Sequence, residues 1–317
     1  MIRFTVIRLV EIAAMLVLMS FVIYGLIGLM PGDPIDLMLG ADPHLTSADV
    51  ARLKQLYGVG QPLTERYLAW AGAALSGDLG YSRLFSAPVV ATLLPRLGNS
   101  LVLLGSSFVL AFAAALGLGI AAACRPRSRL DAAINFGCFA GVSLPTFWLA
   151  LILILVFAQS LGWLPAGGTG GGEASGVADR LRHLVLPVAT LTIASLGGYT
   201  RYVRAAMRDA LGHDHIRTAR AKGASEARIV WRHALRGALV PIATILALSF
   251  GSLVSGALVT EEMFAYPGVG KLIFDAVMGN DYNLALAALL LATAVTMLAN
   301  LAADLAYAWL DPRVTYQ

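Results

Sequence analysis

Six stretches of predominantly apolar residues recur along this chain, each long enough to cross the hydrocarbon core of a bilayer as a helix. They run roughly from Leu9 to Met30, Ser100 to Cys124, Ala132 to Ser160, Leu184 to Val203, Ala238 to Val259 and Leu284 to Leu310. With 58% hydrophobic and only 13% charged residues, the chain carries about half the charge of an average soluble domain. A soluble fold is excluded on those grounds, and an all-α membrane protein with six transmembrane helices is expected.

The basic residues set the orientation. Of the 23 Lys and Arg, 15 fall in the segments 1–8, 125–131, 201–236 and 311–317, and 8 in the alternate ones. Five of those 8 belong to the long 31–98 segment, and long loops cross largely regardless of charge. Both termini are therefore expected on the cytoplasmic side. Arg3 and Arg8 precede the first apolar run in the manner of a signal peptide, but the run is too long and ends in Met30-Pro31-Gly32-Asp33-Pro34 without a small-x-small cleavage site. It reads as an uncleaved anchor. The net charge of +4 comes from cytoplasmic loops and speaks of topology, with lipid and not nucleic acid as the partner.

Between the first two spans, Thr46 and Ser47 are candidate N-caps of a short helix closed by Gly58, and a second helix is expected from Thr64 to Leu75, stopped by Gly77. The run Gly167 to Gly172 reads as a flexible external loop. Between spans five and six, Glu261 to Asn283 is acidic, and Pro267, Gly268 and Gly270 are expected to break any helix. Pro145, Pro187 and Pro241 each remove a backbone donor within a span, while Ser143, Thr190, Gly197 and Gly198 are among the small residues that let helices approach closely.

Familiar chemistries fail on context. Gly268-Val269-Gly270-Lys271-Leu272 has the GK of a nucleotide loop, but Ala265 stands where its first glycine belongs and Leu272 where its Ser or Thr belongs. His213-Asp214-His215 has no further ligand set at metal spacing and reads as a solvated turn. Gly141 to Pro145 lacks the second glycine of a nucleophile elbow. Cys124 and Cys138 suggest neither a disulfide nor a metal site. Glu11, one turn from Arg8, is expected in a surface ion pair; Asp304, four residues after Asn300, shares its helix face. No acidic, His or Lys group falls near the midplane of a span, so a coupling-ion site is missing and the energy for any transport must come from elsewhere.

The basic stretch between spans four and five remains. Nine Lys and Arg lie between Arg201 and Arg236 against three acids, and alanines at 219, 221, 224, 227 and 234 favour helix. Gly223 and Ser225 offer a break where two short helices could meet. Arg217-Thr218-Ala219-Arg220-Ala221-Lys222-Gly223, with Pro241 eighteen residues beyond Gly223, resembles the EAA loop of binding-protein-dependent ABC importer permeases, in the form of the dipeptide/oligopeptide/nickel branch. Arg217 and Thr218 replace the first two residues of the eponymous Glu-Ala-Ala. Resemblance continues in Gly77-Asp78-Leu79-Gly80, Ser143 to Trp148, Leu161 to Pro165, Arg182 to Pro187, Glu261, Phe264, Pro267 to Gly270 and Leu310 to Arg313. Each motif is weak and their order is specific. The long segment after span one is similar to the DppB/OppB type more than to its shorter-looped partner.

That resemblance implies a type I ABC importer permease fold: residues 1–98 as an N-terminal helix plus extracytoplasmic segment, and residues 99–317 as a five-helix core with an EAA-type loop at about 205–236. It implies a multi-pass subunit of the bacterial inner membrane that joins a second, DppC/OppC-like permease, two ABC ATPase subunits and an extracytoplasmic solute-binding protein. The chain itself would be non-catalytic and hold no cofactor, ATP and Mg being bound by the ATPases. Asp214, Ile216, Arg217, Thr218, Ala219, Arg220, Ala221, Lys222 and Gly223 would form the coupling helix and its turn, Ala219 and Ala221 allowing close approach and Arg217, Arg220 and Lys222 meeting acidic groups at the rim. The solute implied is a di- or oligopeptide, with nickel or metal chelates, glutathione or opines as alternatives.

Overall fold

The computed structural model describes residues 2–28, 62–170 and 176–310; the expected helix behind Thr46 and Ser47 lies outside them. Helix α1 (Ile2–Ile27) is followed by α2 (Leu63–Leu75) and a small hairpin of β1 (Tyr81–Ser82) and β2 (Ala87–Pro88). Then come α3 (Val89–Cys124), α4 (Arg129–Ser143), and α5 (Thr146–Leu153) running into a π-helical turn at Ile154–Ser160. Helix α6 (Val177–Gly212) leads to α7 (Asp214–Ala221), α8 (Glu226–Arg228) and a second π-helical turn at Ile229–Ala234. The chain closes with α9 (Leu235–Met263), α10 (Val269–Met278) and α11 (Tyr282–Leu310).

Among the described residues, four helices are long and apolar enough to cross a membrane, and five if α4 and α5 with its turn count as one broken span. Lipid can satisfy no backbone N–H or C=O, so helices that close their own hydrogen bonds are the economical way across. Their outward faces suit that solvent: Val10, Val17 and Leu26 on α1 and Phe136 and Phe139 on α4 are largely exposed, which water would penalise and hydrocarbon does not. Helices α3 and α6, 36 residues each, reach about 54 Å and so extend well beyond a hydrocarbon core of about 30 Å.

Two expectations are corrected. The stretch Ala132 to Ser160 is not one straight span: α4 and the α5 segment meet at 101°. Pro145 lacks an N–H and forces Leu144 out of the helical region, to an extended φ of −84° and ψ of 126°, so the ladder stops there and restarts at Thr146. By contrast Pro187 and Pro241 sit inside the continuous helices α6 and α9. The second correction is that Pro267, Gly268 and Gly270 do not prevent a helix, because α10 begins at Val269, immediately after Gly268.

Helix α6 is the hub, packed against α3, α4, α5 and α9. Small residues set those approaches. A Cβ at Gly119 would lie 2.6 Å from Val203 Cγ1, and one at Gly197 2.3 Å from the carbonyl oxygen of Cys138. Gly197→Ala therefore has to part α4 from α6; an overpacking cost of about 1–3 kcal/mol is expected, read as a lowered Tm of the solubilised protein. The glycine run after span three is docked as far as it is described: a Cβ at Gly167 would meet the Phe264 carbonyl oxygen at 2.1 Å, and Gly168 N–H donates to that oxygen at 2.8 Å. At the opposite end of the bundle from α7, buried Asp281 accepts from Ser82 Oγ at 2.6 Å and Leu84 N–H at 2.9 Å, clamping the hairpin to the start of α11.

Candidate functional site

The basic segment after span four folds as two short helices with a tight turn between them. Helix α7 carries Asp214 in its first turn and Arg220 in its last, the arrangement that complements a helix dipole. It ends in a complete Schellman motif: Gly223 N–H donates to Arg220 O at 3.0 Å and Ala224 N–H to Ala219 O at 3.1 Å. Gly223 takes φ +78°, a conformation that a side chain disfavours and glycine does not. Ser225 then caps α8, its hydroxyl accepting from Arg228 N–H. The break anticipated at Gly223 and Ser225 is where the structure puts it.

One residue roots α7 in the protein. Ile216 is fully buried in a cluster with Ile120 of α3, Met207 of α6, Ile229 and Ala234 of the second π-helical turn, and Ala238 of α9. Burying such a side chain is worth about 1.5–3 kcal/mol, a large share of what holds an eight-residue helix in place. The two alanines part company: Ala219 is half-buried on the inner side, while Ala221 is exposed. Asp214, Arg217, Thr218, Ala221, Lys222 and Gly223 form the outward surface, together with Arg220.

The three cations on that surface differ. Arg220 spans the turn to Glu226, Nε to Oε1 at 2.7 Å and Nη2 to Oε2 at 3.2 Å, which holds the Glu226 carboxyl below its usual range and the guanidinium above its own. Both groups are half-exposed or more, so the pair fixes geometry and adds little stability. Among the described residues, Arg217 makes only a long 3.4 Å contact with Asp214, at 77% and 94% exposure, and is readily given to another partner. Lys222 has no ion pair among the described residues.

Between α4 and α6, buried Asp131 at the start of α4 receives Arg204 of α6 in a bidentate pair, Nε at 2.7 Å and Nη2 at 2.8 Å, with Arg127 N–H at 3.0 Å and Asn135 Nδ2 at 2.7 Å completing its shell. Sequence reasoning missed this pair. Ser128 and Asp131 stand at capping-box spacing, and Ser128 Oγ does accept from Asp131 N–H, so the carboxylate passes for a helix cap. The pair Arg8 and Glu11 is present at 3.0 Å, and Arg8 reaches Asp304 as well, at 3.3 Å, tying α1 to α11.

Glu261, named in the sequence as one of the residues that carry the resemblance, lies at the far end of α9, fully buried and hydrogen-bonded. Its Oε1 accepts from Ser100 Oγ of α3 at 2.6 Å and its Oε2 from Lys271 N–H of α10 at 3.1 Å. Val269 N–H donates to Ser100 Oγ at 2.8 Å, so α3 and α9 together cap α10. A Cβ on Gly268 would fall 2.2 Å from that carboxyl group. The sequence signal was the acid followed by Pro-Gly-x-Gly, whose glycines make room for it.

The chain resembles known proteins along its whole length. Residues 115–316 match the family described as binding-protein-dependent transport system inner membrane component, and residues 1–101 match its N-terminal companion. The oligopeptide transport system permease protein AppB of Bacillus subtilis is 40% identical over 90% of both chains. The di/tripeptide transport system permease protein DppB of Pseudomonas aeruginosa is 36% identical over 93% of both. The glutathione transport system permease protein GsiC of Escherichia coli is 35% identical over the full length of each.

Proposed function

Because this chain belongs to the family of inner membrane components of binding-protein-dependent transport systems, we propose that it is one of two permease subunits of an ATP-driven importer and that α7 is its coupling helix. The observation that carries this is the two-sidedness of α7: Ile216 is sunk into a cluster shared by α3, α6 and α9, while Arg217, Ala221 and Lys222 face outward beside a rigid Schellman turn. A helix so built passes a push on its outer face into three long helices at once. A soluble ATPase gripping it from the cytoplasm would drive the helices between inward- and outward-facing arrangements.

In this reading six spans place both termini in the cytoplasm, residues 1–98 attach to the 99–317 core through α1 and α11, and a binding protein delivers solute from outside. A second permease of the same family completes the pathway, and two ATPase subunits bind ATP and Mg. The proposed solute is a di- or oligopeptide, following the AppB and DppB relatives; glutathione, a tripeptide named for the GsiC relative, is the second candidate. Both have charged termini, which the outward chemistry of a permease alone does not discriminate.

The test is reconstitution. This subunit purified alone is expected to hydrolyse no ATP, whereas vesicles holding both permeases, the ATPases and the binding protein accumulate labelled dipeptide when ATP is supplied inside the cytoplasmic compartment. Uphill accumulation by vesicles holding this chain alone would refute the reading. Glutathione uptake without dipeptide uptake would replace the solute and keep the architecture.

A further inference from the structure

A cavity of about 570 Å³ runs between α3, α9 and α11, from Thr296 and Asn300 at its deeper end to α10 at its outer end. Its walls are mostly apolar, with Leu101 and Leu104 on one side. Helix α10 closes the outer end with Val269 and Ile273. What holds α10 there is unusual. Its inner face is apolar, Leu272 and Ala276 being fully buried against α11 and α3, yet its first turn is fastened by a buried carboxylate.

An apolar anchor would do the same fastening without the desolvation penalty of a buried carboxyl group, so the choice of Glu261 calls for a reason beyond stability. Such a junction differs from an apolar one in being all or nothing. Ser100 Oγ–H donates to Glu261 and its oxygen accepts from Val269 N–H, while Glu261 also accepts from Lys271 N–H, so a shift of α10 by an ångström or two breaks both of its bonds to the Ser100–Glu261 pair together. The neighbouring strap is held by the adjacent residue of α3: Asn99 donates to Pro267 O at 2.8 Å and Tyr266 donates to Asn99 O at 3.2 Å. Three elements thus meet at one carboxylate, and a movement of α9 relative to α3 is felt first by α10.

We propose that Glu261 is a positioning residue for transport: with Ser100 it latches α10 over the outer end of the cavity, and parting α9 from α3 releases it. This rests on the permease reading for its role in transport, but the latch can be tested without any solute.

The Gly268 contact supplies the experiment. The three atoms that a Cβ on Gly268 would meet first all belong to the Glu261 carboxyl group, and its φ of −101° imposes no strain on a side chain. Gly268→Ala therefore acts by displacing Glu261, and in a Glu261→Ala background it has nothing to displace. The reporter is Ala276→Cys, fully buried on the inner face of α10, in the assembled transporter carrying Cys124→Ser; the buried native Cys138 on α4 serves as control. A water-soluble maleimide, read peptide by peptide by mass spectrometry, is expected to label position 276 about tenfold faster in Gly268→Ala and in Glu261→Ala, with Cys138 unchanged. The double variant is expected to be no faster than Glu261→Ala. Unchanged labelling at 276, additive effects in the double variant, or equal acceleration at Cys138 would each overturn the latch. Should Glu261→Ala fail to assemble, Ser100→Ala decides: acceleration of a few fold supports the latch and an unchanged rate overturns it. A wrong solute assignment would leave every one of these rates as stated.

Discussion

Gly223→Glu is expected to abolish ATP-driven uptake while the protein still inserts and folds. Gly223 is exposed, and a Cβ there meets no atom within 4 Å, so the substitution breaks no packing. Its internal cost is the φ of +78°, about 1–2 kcal/mol for a residue with a side chain. That is too little to unfold a bundle held by several buried clusters. The effect has to arise outside the chain, where a long anionic side chain would stand on the surface offered to the ATPase, next to Lys222 and the Arg220–Glu226 pair. Two milder variants separate strain from collision. Gly223→Asn tolerates the left-handed conformation and should retain most uptake, and Gly223→Ala should retain part of it. Assembly is followed by co-purification of the ATPases and insertion by membrane yield. Full uptake by a stably assembled Gly223→Glu transporter would refute the role given to α7.

What could be read from the chain was whatever local rules decide. Helix α2 was expected at Thr64 to Leu75 and runs from Leu63, because its apolar spacing and the φ of +90° at Gly77 are matters of a few neighbouring residues. The Gly223 and Ser225 break is local in the same sense. Pro145 announced an interruption, but the 101° turn depends on α5 packing against α6 and α9, which no window of sequence contains. Helix α10 was hidden for a sharper reason. Proline and two glycines argue against a helix unless acceptors arrive from elsewhere, and here Ser100, 169 residues away from Val269, supplies one. The glycines at 167, 168 and 268 were open to reading as loop residues, when two of them are small because a carbonyl or a carboxylate sits where a Cβ would be. Arg8 and Glu11 were paired on spacing, while the share taken by Asp304, from the other end of the chain, was out of reach.

Ile216→Ala is expected to uncouple the transporter instead of disassembling it. The variant leaves the outer face of α7 intact, so the ATPases should still bind and hydrolyse ATP. It empties a site that is fully buried between α3, α6 and α9, at a cost of about 2–5 kcal/mol for a large-to-small change of this kind. An eight-residue helix has little else to hold it: its N-terminus has no side-chain cap, and its Asp214–Arg217 pair is exposed. With Ile216 truncated, α7 can move with the ATPase without dragging the long helices, and ATP is consumed with little solute moved. A tenfold or greater fall in solute transported per ATP, at near-normal ATPase content, is the expected reading. Ile216→Val, costing about 0.5–1.5 kcal/mol, should lie between the variant and the parent. Gly223→Glu and Ile216→Ala thus fail on opposite sides of one helix, the first by losing the ATPase and the second by losing the grip of α7 on the membrane helices. If both lost the ATPase equally, Ile216 would be no more than part of the docking surface, and the route by which force enters the bundle would have to be sought in the Asp131–Arg204 pair or the turn leading into α9.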